Sequence, residues 1–248
     1  MKDELTKKRF EELAAKSYNQ NHFTFTSFLT EAELSEFYQI KHISQSDYTV
    51  FGGHENADRV MIRFGNPESF GYSEDFPIKC IIIEPLSKKF SETLTHRDFL
   101  GCIMNLGIKR SEIGDIIVEE NAAYVFCTEK MSDYICGEIT RVKHTVVSCS
   151  VTENIPGEIS GKTTLLEVQV SSERIDGTIS KIFHMSRGSC SELFREKKIF
   201  VNGKSCENSS YILKEGDKVS VRGFGKFIFS GIKGFTRKGN KIAFIEKF

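Results

Sequence analysis

Apolar positions change their period along the chain, and the changes mark out successive stretches. In residues 1–77, Leu5, Phe10, Leu13 and Ala14 share one side of a 3.6-residue repeat, which predicts an opening helix. "LTEAELSEFYQI" starts with Thr30 and carries Glu33 three residues later, a capping-box spacing that predicts a second helix. "YTVFGGHENADRVMIRFG" reads as strand, Gly-Gly loop and strand. No catalytic constellation is visible in this N-terminal α/β part.

Residues 78–152 have a clearer rhythm. "IKCIIIEP" is an unbroken apolar run, hence a buried strand, and "THRDFLGCIMNLG" is a helix capped at Thr95 and ended at Gly107. "IGDIIVEE" and "AAYVFCTE" are strands joined by a tight turn at Asn121; "KMSDYICGEI" is a second helix and "HTVVSCSV" a closing strand. The order β-α-β-β-α-β is that of a ferredoxin-like split unit, so the expected class is α+β. RNA-recognition motifs share this layout but stack bases on aromatics within a K/R-G-F/Y signature. Here Tyr124 and Phe126 occupy the third strand without that lead, so element order alone says little about RNA binding. "ENIPGEISGK", 153–162, reads as a linker by its Pro, Gly and Ser, and "TLLEVQV" as a strand leading onward. Together they make a linker and lead-in strand over 153–170.

In residues 171–248, Ile175, Ile179, Ile182 and Phe183 recur at i, i+4, i+7 and i+8 and form one apolar helix face. Ser186 starts a second helix as its N-cap, with Cys190, Leu193 and Phe194 on the buried side. Continued at ~100° per residue, that helix holds Arg187, Arg195 and Lys198 within an arc of about 80°. "IFVNGK" is a strand with a turn at Asn202-Gly203, and "KVSVRGF" a half-buried strand after a turn at "EGD".

Charge changes the picture. The 248 residues carry 34 Lys/Arg and 34 Asp/Glu, a net charge of zero. Yet Arg174–Phe248 holds sixteen Lys/Arg against seven Asp/Glu, a net +9, and residues 1–173 hold the opposite −9. A basic module on a neutral chain points to a polyanion. Arginine offers a planar fork to two phosphate oxygens, lysine a mobile point charge. Ser186, Ser189 and the backbone N–H groups at the helix start can add hydrogen bonds to the same backbone. RNA suits such a surface, because its deep major groove excludes an inserted helix and leaves shape and phosphates to be read.

Composition otherwise excludes more than it adds. No stretch approaches the ~18 consecutive apolar residues of a membrane span, and the charged amphipathic start lacks a signal-peptide core. The seven cysteines are scattered without a C-x-x-C pair, which argues for free buried thiols in a reducing cytoplasm rather than a metal or redox motif. Three motif-like stretches mislead. "GEISGKTT" has Pro156 where a phosphate-binding loop needs its first glycine. "HRDFLGCIMN" has Ile103 where a kinase loop needs Asn; Asp98 is better read as a capping partner of Thr95, with His96 and Arg97 on the surface. "GFGKFIFSG" has Ile228 in place of the third glycine of a dinucleotide fingerprint. No cofactor or metal is expected.

Arg174-Ile175-Asp176, Ser186-Arg187, Lys197, Val201-Asn202-Gly203-Lys204 and Glu215-Gly216-Asp217, in this order, resemble the S-four RNA-binding domain, named after a small-subunit ribosomal protein. One departure is the polar Ser191 or Glu192 where a small residue is common, which predicts looser helix packing. "FGGHENADR", "LTHRDFLGCIMNLGIKRSEIGDIIV" and "VRGFGKF" extend the likeness through most of the chain to the bacterial YlmH family. The resemblance implies a ferredoxin-like domain between a small N-terminal part and a C-terminal S-four-type domain. It implies a non-enzymatic factor of ribosome-associated quality control that joins a large subunit carrying peptidyl-tRNA and assists C-terminal tailing. The partners so implied are rRNA and tRNA, with a quality-control protein as a further candidate, for a monomeric cytoplasmic chain.

On this reading Arg187, Arg195, Lys197, Lys198 and Lys204 neutralise RNA phosphates. Arg174 and Asp176 order the first helix, Ser186, Ser189 and Asn202 complete the surface, and Arg222 and Lys226 extend it. Two alternatives stay open. One is an RNA-modifying enzyme delivered by its S-four domain, with Asp98 and Asp115 as the acids to test. The other is an adaptor, linked to cell division in this family, that recruits a partner through the acidic first 173 residues.

Overall fold

The computed structural model describes residues 2–40, 47–87, 92–119, 122–153, 164–236 and 239–248. The chain is a mixed α and β protein of two compact units, residues 1–160 and 161–248. The turn at Asn121 lies outside the described residues, as does all of the linker except Glu153. Of "GEISGKTT" only Thr164 is described, and it opens a strand.

The first unit begins with α1 (Lys2–Gln20), β1 (Thr24–Phe25) and α2 (Glu31–Tyr38). β2 (Tyr48–Phe51), β3 (Met61–Phe64) and the single turn α3 (Pro67–Phe70) follow. The capping box of α2 is formed: Glu33 Oε2 accepts from Thr30 N–H and Oγ1, each at 2.8 Å. The strands pair antiparallel in the order β1-β3-β2. Phe10, Phe37 and Phe64 pack edge to face beneath them. Leu5 departs from the expected face and is 67% exposed; α1 packs only from Phe10 onward.

β4 (Ile78–Pro85), α4 (His96–Asn105), β5 (Ile113–Glu119), β6 (Ala122–Thr128) and α5 (Glu129–Glu138) come next. The short β7 (Arg141–Val142) and then β8 (Thr145–Thr152) complete the unit. The antiparallel sheet runs β5-β6-β4-β8-β7. One face, with Ile81, Ile83 and Val125, packs on Phe99, Ile103 and Ile135 of the two helices. Cys80 and Phe126 on the other face pack on Phe28 and Met61 of the N-terminal part. β4 therefore reads as an unbroken apolar run because much of both its faces is buried.

The second unit consists of β9 (Thr164–Val170), α6 (Ile175–Ile182), α7 (Arg187–Arg195) and β10 (Ile199–Val201). β11 (Lys204–Ser205), β12 (Lys218–Val221), β13 (Gly225–Phe235) and β14 (Lys241–Lys247) complete it. Its sheet order is β11-β10-β12-β13-β14-β9. The lead-in strand β9 is thus an edge of this sheet, paired with β14 from Thr164↔Lys247 to Val170↔Lys241. Ile175, Ile179 and Ile182 of α6 and Cys190, Leu193 and Phe194 of α7 close over Val201, Val219, Phe227 and Ile245. "GFGKFIFSG" is the start of β13, as its alternation suggests. Ser191 and Glu192 are exposed, so the two polar positions leave the helix packing intact.

Candidate nucleic-acid interface

The α6–α7 pair positions most of the candidate cations. Arg174 is the N-cap of α6, and its guanidinium grips Asp176 in the first turn through Nε at 3.1 Å and Nη2 at 2.6 Å. Asp176 also accepts from Gly177 N–H at 2.7 Å. The hydrogen bonds from Arg174 hold its carboxyl below the usual carboxylate range, with Gly177 N–H adding to the effect. Ser186 caps α7 by accepting from Ser189 N–H at 3.1 Å, and the two hydroxyls lie 2.9 Å apart. Arg187, the first residue of α7, is exposed, and no ion pair is formed by it among the described residues.

Arg174 and Arg187 face one cleft of about 360 Å³ between the two helices, lined further by Asp176, Ser171, Ser172, Ser180 and Ser191. The hydroxyl of Ser180 is buried there beside the Cys190 thiol. A polar cleft with a guanidinium on each side suits an anionic oxygen group. Ser171, Ser172 and Ser180 were not singled out from the sequence, because scattered serines carry no spacing signal, and Ser191 stands out there only as a departure expected to affect helix packing.

The cations at the far end of α7 are arranged differently from a helical stripe. The helix stops at Arg195. Lys197 N–H bonds Phe194 C=O and Lys198 N–H bonds Leu193 C=O, which is a Schellman closure with Lys197 at a left-handed φ of 53°. Extrapolating the helix to Lys198 therefore fails, since the backbone has already turned towards β10. Each cation meets an acid: Arg195 with Glu192 at 3.1 Å, Lys197 with Glu207 at 2.9 Å, Lys198 with Glu196 at 2.7 Å. These are solvent-exposed pairs, individually weak, so a polyanion can displace them. Arg222 joins this end, because its N–H donates to Lys198 C=O at 2.9 Å.

The remaining candidates lie on the sheet. Asn202 and Gly203, at φ 51° and 75°, form a hairpin turn of the primed type. The Asn202 amide is engaged at both ends, donating to Asp217 Oδ1 and accepting from Lys218 N–H. Lys204 is exposed on β11. The Arg222 guanidinium lies 5.9 Å from the Phe200 ring centre, and Lys226 Nζ 5.1 Å from that of Phe248. The structure therefore brings Arg195, Lys197, Lys198 and Arg222 to one end of α7 and Arg174 with Arg187 to the other. Phe224, exposed between Arg222 and Lys226, was overlooked; an aromatic interleaved with cations was the available signal.

The two acids of the first unit are engaged. Asp98 Oδ2 accepts from Thr95 N–H and Oγ1 at 2.8 and 2.7 Å, and lies 2.8 Å from Lys143 Nζ. Asp115 takes His54 Nε2 at 3.0 Å and the N–H groups of Asp58 and Arg59 at 2.7 and 3.1 Å, which fixes the Gly-Gly loop. Gly53 in that loop touches Phe126 so closely that a Cβ would fall 2.3 Å from the ring. Phe126 is 1% exposed under this loop and offers no stacking face. Tyr124 is half-buried; desolvation, then the charges of Glu119 and Glu84 among others, push its hydroxyl pKa up. All seven cysteines are free, with Cys102, Cys136 and Cys149 only partly buried. Among the described residues no cluster of His, Cys, Asp and Glu is placed to hold a metal, and no helix is long and apolar enough to cross a membrane.

Comparison with known proteins adds to this geometry. Residues 72–155 match the family profile described as "Putative RNA-binding domain in YlmH". A Bacillus subtilis (strain 168) protein named ribosome-associated protein quality control protein P2 is 30% identical over 198 residues, covering 75% of this chain and 72% of its own length. The chain belongs to the YlmH family. An Aquifex aeolicus (strain VF5) protein named uncharacterized RNA pseudouridine synthase is 42% identical over 50 residues, 20% of this chain and 21% of its own. The solved structure of the cell division protein YlmH from Streptococcus pneumoniae covers 61% of this chain and 92% of its own, at 20% identity and a TM-score of 0.49.

Proposed function

We propose that this YlmH-family chain is a non-enzymatic RNA-binding factor of the ribosome, acting in quality control of stalled nascent chains. The observation that carries it is the α6–α7 cleft, with Arg174 and Arg187 converging on a pocket of serine hydroxyls. The second unit is taken as an S-four-type domain, and the sheet order β5-β6-β4-β8 favours a ferredoxin-like unit before it. In this reading the cleft and the cations at the end of α7 hold phosphates of large-subunit rRNA and of tRNA, so that the factor supports tailing. Arg174, Asp176, Ser186, Ser189 and Asn202 shape the surface; Arg187, Arg195, Lys197, Lys198, Lys204, Arg222 and Lys226 supply its charge.

A salt titration of binding to large-subunit rRNA tests it. Neutralising each phosphate contributes a slope of roughly −0.9 in log K against log salt on duplex. A flat response overturns the proposal.

The match of residues 72–155 favours a second RNA contact on the five-stranded sheet. Buried Phe126 and the acidic setting of Tyr124 weigh against base stacking there. An RNA-modifying enzyme is disfavoured because Asp98 and Asp115 are engaged in capping and loop fixation. Modification of rRNA that depends on Asp98 or Asp115 would reinstate it.

A further inference from the structure

The turn from β12 to β13 carries an exposed aromatic ring in a basic setting. Phe224 is 51% exposed at its tip, and its N–H donates to Val221 C=O at 2.9 Å. Gly223 and Gly225 flank it at φ 89° and 131°, a backbone that side-chain-bearing residues rarely adopt. The two glycines let the chain reverse within four residues while the ring stands clear. Phe183 supports one side of it edge-on, with ring centres 6.0 Å apart. Arg222 and Lys226 flank the turn in sequence, with their charges over the neighbouring Phe200 and Phe248 rings, and Lys247 Nζ lies 4.9 Å from the Phe183 ring centre.

Single exposed apolar side chains are ordinary on a protein surface; what marks this one is an aromatic pair held at a glycine-flanked turn with cations nearby. Flanking positive charge makes an apolar protein partner a poor occupant and a polyanion with exposed π-faces a good one. Unpaired nucleotides supply both: the base stacks on the ring while the adjoining phosphates meet the cations.

We propose that Phe224 is a stacking platform for an unpaired RNA base, with Arg222 and Lys226 holding the phosphates on either side. This rests on RNA being the ligand of the second unit and adds that the RNA is single-stranded at this point.

The chain contains no tryptophan, so Phe224→Trp installs a sole reporter. In the full-length variant, a hairpin RNA with an unpaired loop should quench the indole saturably, whereas a fully paired duplex of equal length should not. Phe224→Ala should weaken loop binding about tenfold at fixed salt and leave duplex binding and its salt slope unchanged. Leu165→Ala, at an exposed position on β9, should alter neither. If wild-type protein binds both RNAs and Phe224→Ala changes neither, or both equally, stacking is overturned while RNA binding stands. If wild-type protein binds neither RNA at low salt, both readings fall. Quenching by an acidic peptide but not by the loop RNA would assign the ring to a protein and overturn the proposal.

Discussion

Asn202 Nδ2 donates to Asp217 Oδ1 at 2.8 Å and so ties the hairpin turn after β10 to the start of β12. Asp217 is 5% exposed and also accepts from Tyr211 Oη at 3.1 Å and Lys214 N–H at 2.8 Å. Asn202→Ala would break two hydrogen bonds, one to a buried carboxylate, at a left-handed backbone position. It should cost about 2 kcal/mol in urea unfolding. The salt slope of RNA binding should stay as in wild type. A changed slope would mean that Asn202 acts at the interface itself.

Lys197 closes α7 where glycine is usual. Relieving its left-handed strain is worth about 1 kcal/mol, against a fraction of that for the exposed pair with Glu207. Lys197→Gly should therefore raise the urea midpoint while weakening RNA binding. The opposite signs separate backbone strain from charge, because a residue important only for folding would move both the same way.

Glu192, Glu196 and Glu207 pair with Arg195, Lys198 and Lys197, so under the proposed function they would compete with phosphate for those cations. Replacing all three by Gln should tighten RNA binding several-fold at moderate salt, with the gain fading at high salt. By contrast, Arg187→Ala should weaken binding and reduce the salt slope by about one phosphate contact. Filter binding across a salt series reads both.

Hydrogen bonds from Lys143 and then Thr95 pull the Asp98 carboxyl down to about 2. Its unfolded value is roughly 3.9, so its stabilising effect is complete above that pH and disappears as pH falls through about 2. Asp98→Asn should lower the urea midpoint at neutral pH, and the gap to wild type should close across that acid window. A gap independent of pH would show that the charge of Asp98 is irrelevant.

Most element positions were legible because their cues are local. Thr30 and Glu33, Thr95 and Asp98, and Ser186 with Ser189 meet within one helical turn, so spacing alone identifies the caps. The unbroken apolar run of β4 and the alternation along β12 likewise follow from which faces are covered. Leu5 misled because periodicity marks a face without saying how far the core beneath it extends. Lys198 misled because nothing in "FREKKIF" signals a closure that uses lysine in place of glycine.

By itself the sequence determined where charge accumulates, which residues start the helices, and most of the apolar positions that enter the core, since these depend on neighbours a few bonds away. Tertiary structure decided which cations share a surface, because that depends on distances across the fold. It set Arg174 and Arg187 across one cleft, gave Lys197 a glutamate from another segment, and tied the Asn202 amide to Asp217. It also covered Phe126 while leaving Phe224 open to solvent, a contrast between two phenylalanines in strand-and-turn contexts that only packing could create.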